Sequence, residues 1–205
     1  MRTNTARWMI GVAFGLVLGG CAGTPNPVEP TSATLAAGSQ VAAGVGPELA
    51  AVRAATAPFH DVDVAGAAGY VFGEPCIASP AGAMGIHTPN PALIASQALD
   101  PQQPEVLLYL PKPGGGLRLI GVEYLQVVLL RNTETGQLGP WFSGGPWPAT
   151  YEVVTPTPQL FGQTFDGPMP GHSPSMPWHW DLHAWVWANN PSGMFAQWNP
   201  ALRCD

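Results

Sequence analysis

Charge is scarce in this chain. Of 205 residues, seven are Lys or Arg and thirteen are Asp or Glu, 10% in all, where an ordinary soluble domain carries about 25%. Beyond residue 20 the basic residues fall to five (Arg53, Lys112, Arg118, Arg131 and Arg203), while all thirteen acids remain. That balance excludes a nucleic-acid partner, whose recognition rests on basic patches. It also excludes attraction of the folded part to anionic lipid head groups. Cysteine is scarce as well: Cys21, Cys76 and Cys204 stand far apart, and none has a CxxC-type neighbour. The apolar run at the N-terminus, Trp8 to Leu18, is too short to span a bilayer, since eleven residues as a helix reach only ~16 Å against a ~30 Å hydrocarbon core. Also missing are a Gly-x-x-x-x-Gly-Lys phosphate loop, a Gly-x-Gly-x-x-Gly turn after a strand and a Gly-x-Ser-x-Gly elbow, so nucleotide binding and serine hydrolysis have no motif to stand on.

Turn residues and an export address fill the space. Proline and glycine contribute 24 and 25 residues, which predicts short elements joined by ordered loops. Arg2 and Arg7 before the apolar run, and small residues before Cys21, give the layout of a cleaved export signal. Leu18-Gly19-Gly20-Cys21 resembles the lipobox of bacterial lipoproteins. The resemblance implies a lipidated Cys21 as the first mature residue and an extracytoplasmic protein anchored to the cell membrane or outer membrane. Two or more acyl chains suffice for stable anchoring. Residues 22–46, rich in Pro, Thr, Ser, Ala and Gly with the single charge of Glu29, read as a flexible tether. A single globular domain is expected over residues 47–205.

With Cys21 assigned to lipid, Cys76 and Cys204 remain as an even pair in an oxidising compartment. A disulfide between them is expected to stabilise by roughly 2 to 4 kcal/mol. Two free thiols or a metal pair are the alternatives.

Pro47 to Ala57 begins with Pro and Glu and carries Leu49, Val52 and Ala55 at helical spacing, predicting a short helix. Asp61 caps a second one, Val62 to Ala68, which Gly69 ends. A brief element fits around Ala92 to Ala98. Val106 to Leu110 and Leu117 to Leu130 read as a β-hairpin, with further strands at Tyr151 to Thr155 and Trp178 to Ala188. Helices first and strands later predict an α+β fold with short N-terminal helices and a mainly antiparallel sheet, barrel-like in curvature, with long Pro/Gly-rich loops.

Period-two alternation along Trp178 to Ala188 places His179, Asp181, His183, Trp185 and Trp187 on one face. His179 and His183 stand ~13 Å apart along an extended chain, too far to share one metal ion directly. His183, flanked by apolar positions, is the stronger ligand candidate; a hydrogen-bonded core histidine is the alternative. Glu123 sits in mid-strand among apolar residues, where a buried carboxylate needs a cation, a metal or several donors. Alternatively it faces water or pairs with Arg118 or Arg131. His87, Glu123, His172 and His183 make up the imidazole and carboxylate set that suits a divalent transition metal. Seven of the eight tryptophans lie beyond residue 140, and Trp185 and Trp187 are candidates to stack on a flat ligand such as a sugar, core packing being the alternative.

Cys76, residues 82–87 (GAMGIH), 104–109 (PEVLLY), 121–124 (GVEY), 182–187 (LHAWVW), 190–195 (NPSGMF) and 198–200 (WNP) together resemble a family of uncharacterised exported prokaryotic proteins. The resemblance implies a single exported domain and lends no catalytic roles. A looser similarity to cupins, small β-barrels with His and Glu ligands, rests on His and Glu placed on predicted strands; the close His-x-His with its following Glu is absent. Two functions follow as expectations. The first is a lipid-anchored domain that binds a divalent metal or a small ligand through His87, Glu123, His172 and His183. The second is a non-catalytic envelope protein that holds a partner or glycan on an aromatic-rich surface.

Overall fold

The computed structural model describes residues 46–142 and 150–205. The expected cleavage and lipidation at Cys21, and nearly all of the expected tether, fall outside the described residues. A helix over residues 46–56 (α1) opens the domain and runs into a 3₁₀ turn at Ala57–His60. Its buried stripe is Leu49, Val52 and Thr56, with the last member one residue further along than the Leu49, Val52, Ala55 spacing suggested. Thr56 is tolerated there because its hydroxyl donates to the Val52 carbonyl (2.8 Å) and accepts from the Trp187 indole (3.0 Å). The second helix, Val62–Ala67 (α2), is capped by Asp61, whose side chain accepts from the Asp63 amide. A third, Pro91–Ser96 (α3), is capped by Asn90, which also donates to the Ala68 carbonyl and so ties the end of α2 to the start of α3.

Strands follow as Cys76–Ser79 (β1), Gly82–Pro89 (β2), Val106–Pro111 (β3), Leu117–Val127 (β4), Leu129–Asn132 (β5), Leu138–Pro140 (β6), Tyr151–Val153 (β7), Gln159–Leu160 (β8), Gln163–Thr164 (β9), Asp166–Met169 (β10) and His179–Ala184 (β11). Six of them form one antiparallel sheet in the order β1-β2-β3-β4-β11-β10, curled into a half-barrel. The fold is α+β and dominated by this sheet. The expected hairpin is β3 and β4. The strand expected over Leu117 to Leu130 divides at Val128, whose amide leaves the ladder to bond the Trp178 carbonyl (2.8 Å). Beyond it β5 belongs to a separate small sheet, β6-β5-β7. The strand expected over Trp178 to Ala188 ends at Ala184, and beyond it the Trp185 amide bonds the Met194 carbonyl of the C-terminal segment and the Trp187 amide the Ile120 carbonyl of β4.

Both faces of the large sheet are buried. One packs Leu107, Tyr109, Val122, Tyr124, Trp180 and Leu182 against the N-terminal helices. The other carries Val106, Leu108, Ile120, Leu125 and Val127 toward Leu202 and the C-terminal segment. Cys76 and Cys204 are joined across this second face, with Cα atoms 5.7 Å apart and a sequence separation of 128. A bulge in β4, where Tyr109 opposes Leu119 but Leu108 opposes Gly121, resets the alternation, so Glu123 follows Leu125 and Val127 onto the second face. No helix among the described residues is long and apolar enough to cross a membrane.

Candidate metal centre

Three strands bring the site together on the second face. Glu123 on β4 stands directly opposite His183 on β11 and opposite Val106 on β3. His87 on β2 is opposite Leu108, one strand further out. Gly85 allows that approach: its φ is +96°, and an added Cβ would stand 2.6 Å from the Tyr109 carbonyl oxygen. A side chain there would push β2 away from β3 and carry His87 with it.

His87 Nε2 lies 3.2 Å from Glu123 Oε2. His87, Glu123 and His183 each offer a ligand atom within 4.8 Å of the others. All three are buried, at 5%, 1% and 1% exposure. Both ring nitrogens of His87, both of His183 and Glu123 Oε2 make no geometrically sound hydrogen bond among the described residues. Buried polar atoms are ordinarily hydrogen-bonded, and an exception of this size calls for a ligand or a role. Donor atoms around a tetrahedral ion with bonds near ~2.1 Å sit about 3.4 Å apart, so small side-chain rotations suffice to close this triad.

The electrostatics agree with the geometry. Burial lowers His87 well below the ordinary histidine value, with the charges of His183, His172 and His179 adding to it. Burial brings His183 down to about 3, with smaller effects of His172 and His179. Burial raises Glu123 well above the usual carboxylate range, and Asp181 and Glu105 push the same way. Left alone, the cluster is therefore held neutral. A divalent cation needs neutral imidazoles, which burial supplies, and a carboxylate, which the cation itself keeps ionised.

The other candidates fall in different places. His172 is exposed and comes from a loop, its ring 4.9 Å from that of His87, at the rim of a cavity of about 580 Å³. That cavity is largely apolar, with Ile94, Val106, Leu125 and Val127 in its wall beside His87 and His172. Neither arginine considered for Glu123 reaches it, since Arg131 pairs with Glu152 at 2.7 Å and Arg118 is exposed near the start of β4. Trp185 is 1% exposed, its ring stacked on His183 at 6.0 Å and its N–H donated to the Ala196 carbonyl. A stacking platform needs an open face, and this one is closed. Trp187 is half-buried, edge-on to His60 at 4.4 Å, in a smaller cleft of about 340 Å³ with Arg53 and Asn190.

Two residues outside the expected set belong to the same surface. His179 and Asp181, each 1% exposed, form with Glu123 a second group whose ligand atoms lie within 4.8 Å of one another. The alternation along the strand placed them on the correct face. Their nearness to Glu123 depends on the pairing of β11 with β4, which no local pattern announces. Residues His87, Glu123, His179, Asp181 and His183 could thus hold a metal ion.

Comparison with protein-family models, with curated proteins and with solved structures finds no match to this chain. The chemistry of the site is therefore read from its own residues.

Proposed function

We propose that this chain is a lipid-anchored extracytoplasmic protein that binds a divalent transition metal through His87, Glu123 and His183, with a small, mainly apolar ligand seated above the metal. The single observation that carries the reading is the convergence of two imidazoles and a carboxylate, buried and without hydrogen bonds at their facing atoms, from three strands of one sheet. Such atoms cost roughly 1–3 kcal/mol each when left unsatisfied, and a metal ion is the ligand that satisfies nitrogen and carboxylate lone pairs together. The cavity beside His87 has the size of a small-molecule pocket, for which ~300–1,000 Å³ is usual. His172 stands at its rim, placed to meet a polar group of the ligand or to add a further nitrogen to the metal. The lipid at Cys21 and the tether would keep this pocket outside the cytoplasm and clear of the head groups.

The glycan-binding alternative draws less support, because Trp185 is buried and the Trp187 N–H is committed to Thr56. Elemental analysis of protein purified without chelator tests the leading reading. Stoichiometric transition metal is expected, reduced by one ion per chain on His183→Ala. Protein that carries no metal and takes none up on dialysis would sink it.

A further inference from the structure

Glu123 belongs to two triads, and the function proposed above uses one of them. The second consists of Glu123, His179 and Asp181. His179 Nδ1 lies 2.9 Å from the Pro177 carbonyl oxygen. A carbonyl only accepts, so Nδ1 carries the proton and Nε2 of the neutral ring keeps its lone pair. Metal-ligating histidines are commonly held in this way, by a backbone carbonyl on the far nitrogen. Asp181 Oδ1 is buried and has no hydrogen-bond partner among the described residues. The orphaned lone pairs thus extend beyond the first triad along β11.

Strand geometry separates the two groups. His179 and His183 are four residues apart on β11, ~13 Å along the backbone, and each falls in a different triad. Asp181 lies between them on the same face, its Oδ2 3.8 Å from His183 Nδ1. Across the ladder, Glu123 is the member common to both triads. A carboxylate has two oxygens and can give one to each of two ions, the arrangement in which paired metals sit ~3.5–4 Å apart.

We propose that a second divalent transition-metal ion binds between His179, Asp181 and Glu123, with the Glu123 carboxylate bridging it to the ion held by His87 and His183. This inference rests on the metal reading proposed above and goes beyond it in number, bridging residue and ligand set. Each ion receives one oxygen of Glu123. The first adds His87 and His183, the second adds His179 and Asp181, and each keeps coordination positions open for solvent or ligand.

The full chain loaded with Mn²⁺, freed of excess metal and examined by elemental analysis and electron paramagnetic resonance, tests it. Two Mn²⁺ per chain with an exchange-coupled spectrum are expected. His179→Ala and Asp181→Asn should each reduce the content to one and replace the coupled signal with that of an isolated Mn²⁺ ion. Glu123→Gln should abolish the coupling. One ion in the unaltered protein overturns the second site and leaves the first standing; two ions with uncoupled spectra overturn the bridge. No ion at all overturns the metal reading itself. The stoichiometry and spectrum of the unaltered chain decide the matter even where a variant fails to fold.

Discussion

The two faces of the large sheet treat buried polar groups in opposite ways. On the helix side, three buried tyrosine hydroxyls each find a backbone carbonyl: Tyr70 on Pro104 (2.8 Å), Tyr109 on Phe59 (2.6 Å) and Tyr124 on Pro101 (2.6 Å). Among the sheet residues of that face two side chains are exceptions, the Trp180 indole N–H and the Thr88 hydroxyl. On the other side His87, Glu123, Asp181 and His183 lie equally buried with most of their facing atoms unpartnered. Glu123 and Tyr124 are chain neighbours, so the contrast is between two side chains one peptide apart. A fold that satisfies its tyrosines this fully can satisfy buried polar groups. The unsatisfied set on the opposite face therefore marks a place where something other than folding stability selected the residues.

The largest effect separating the faces is the response to metal. A ligand that binds only the folded state stabilises by about 4 kcal/mol at a thousandfold excess over its dissociation constant. Saturating Zn²⁺ or Mn²⁺ should raise the urea midpoint of the unaltered protein by an amount of that order. The gain should shrink in His183→Ala and persist in full in Tyr124→Phe. A gain retained in full by His183→Ala would remove that residue from the ligand set.

Next in size is a pH effect that sets a partnered buried acid against the unpartnered ones. Glu105 is 1% exposed and accepts the Leu125 amide at 3.2 Å. Burial is the largest influence on its carboxyl and raises it to about 7, while the Glu105 and Leu125 amides pull the other way. The folded state thus holds this proton more tightly than the unfolded chain, which releases it near 4.5. The associated stability is complete below pH 4.5 and is lost as pH rises through about 7. At about 1.4 kcal/mol per pH unit the window is worth up to roughly 3 kcal/mol. Glu105→Gln keeps an acceptor for Leu125 and should flatten that part of the stability profile. Glu105 lies in neither triad but its charge acts on Glu123, so bound metal should lower the Glu105 carboxyl and narrow the window that Glu105→Gln removes. A window unchanged by metal would show that no cation sits beside Glu123.

Much of this contrast was legible in the chain before its fold. The alternation from Trp178 onward correctly put His179, Asp181 and His183 on one face, and Glu123 stood out as a carboxylate inside an apolar run. Asp61 as a cap, the hairpin around residues 112–116 and the pairing of Cys76 with Cys204 follow from local chemistry and cysteine number. Which way Glu123 pointed was not legible, because a sheet buried on both faces gives apolar neighbours to either side. Nor did the apolar run announce its break at Val128, since the strands on both sides of the break contribute buried leucines. The nearness of His179 and Asp181 to Glu123 is not legible either, because that residue lies 56 and 58 residues away in the sequence, and only the β4–β11 pairing brings it near them. Trp185 looked like a surface for ligands because aromatic content carries no sign of exposure; the return of residues 194–198 over it decides the matter.

The smallest expected effects are also the sharpest, because they carry opposite signs at adjacent positions. Tyr124→Phe removes a hydroxyl and leaves the Pro101 carbonyl without that donor, which should cost about 1–2 kcal/mol. Glu123→Leu, one residue earlier, removes a buried carboxyl whose Oε2 has no hydrogen bond and puts a branched apolar side chain of similar volume in its place. Exchanging an unsatisfied buried polar group for a packed apolar one is neutral to stabilising, by about 1–3 kcal/mol. In metal-free protein the urea midpoint should therefore fall for Tyr124→Phe and hold or rise for Glu123→Leu. Added metal should leave the Glu123→Leu midpoint where it was while it lifts that of Tyr124→Phe. Destabilisation of the metal-free protein by Glu123→Leu would mean that the carboxyl supports the fold directly, and the difference between the two faces would then reduce to one of packing.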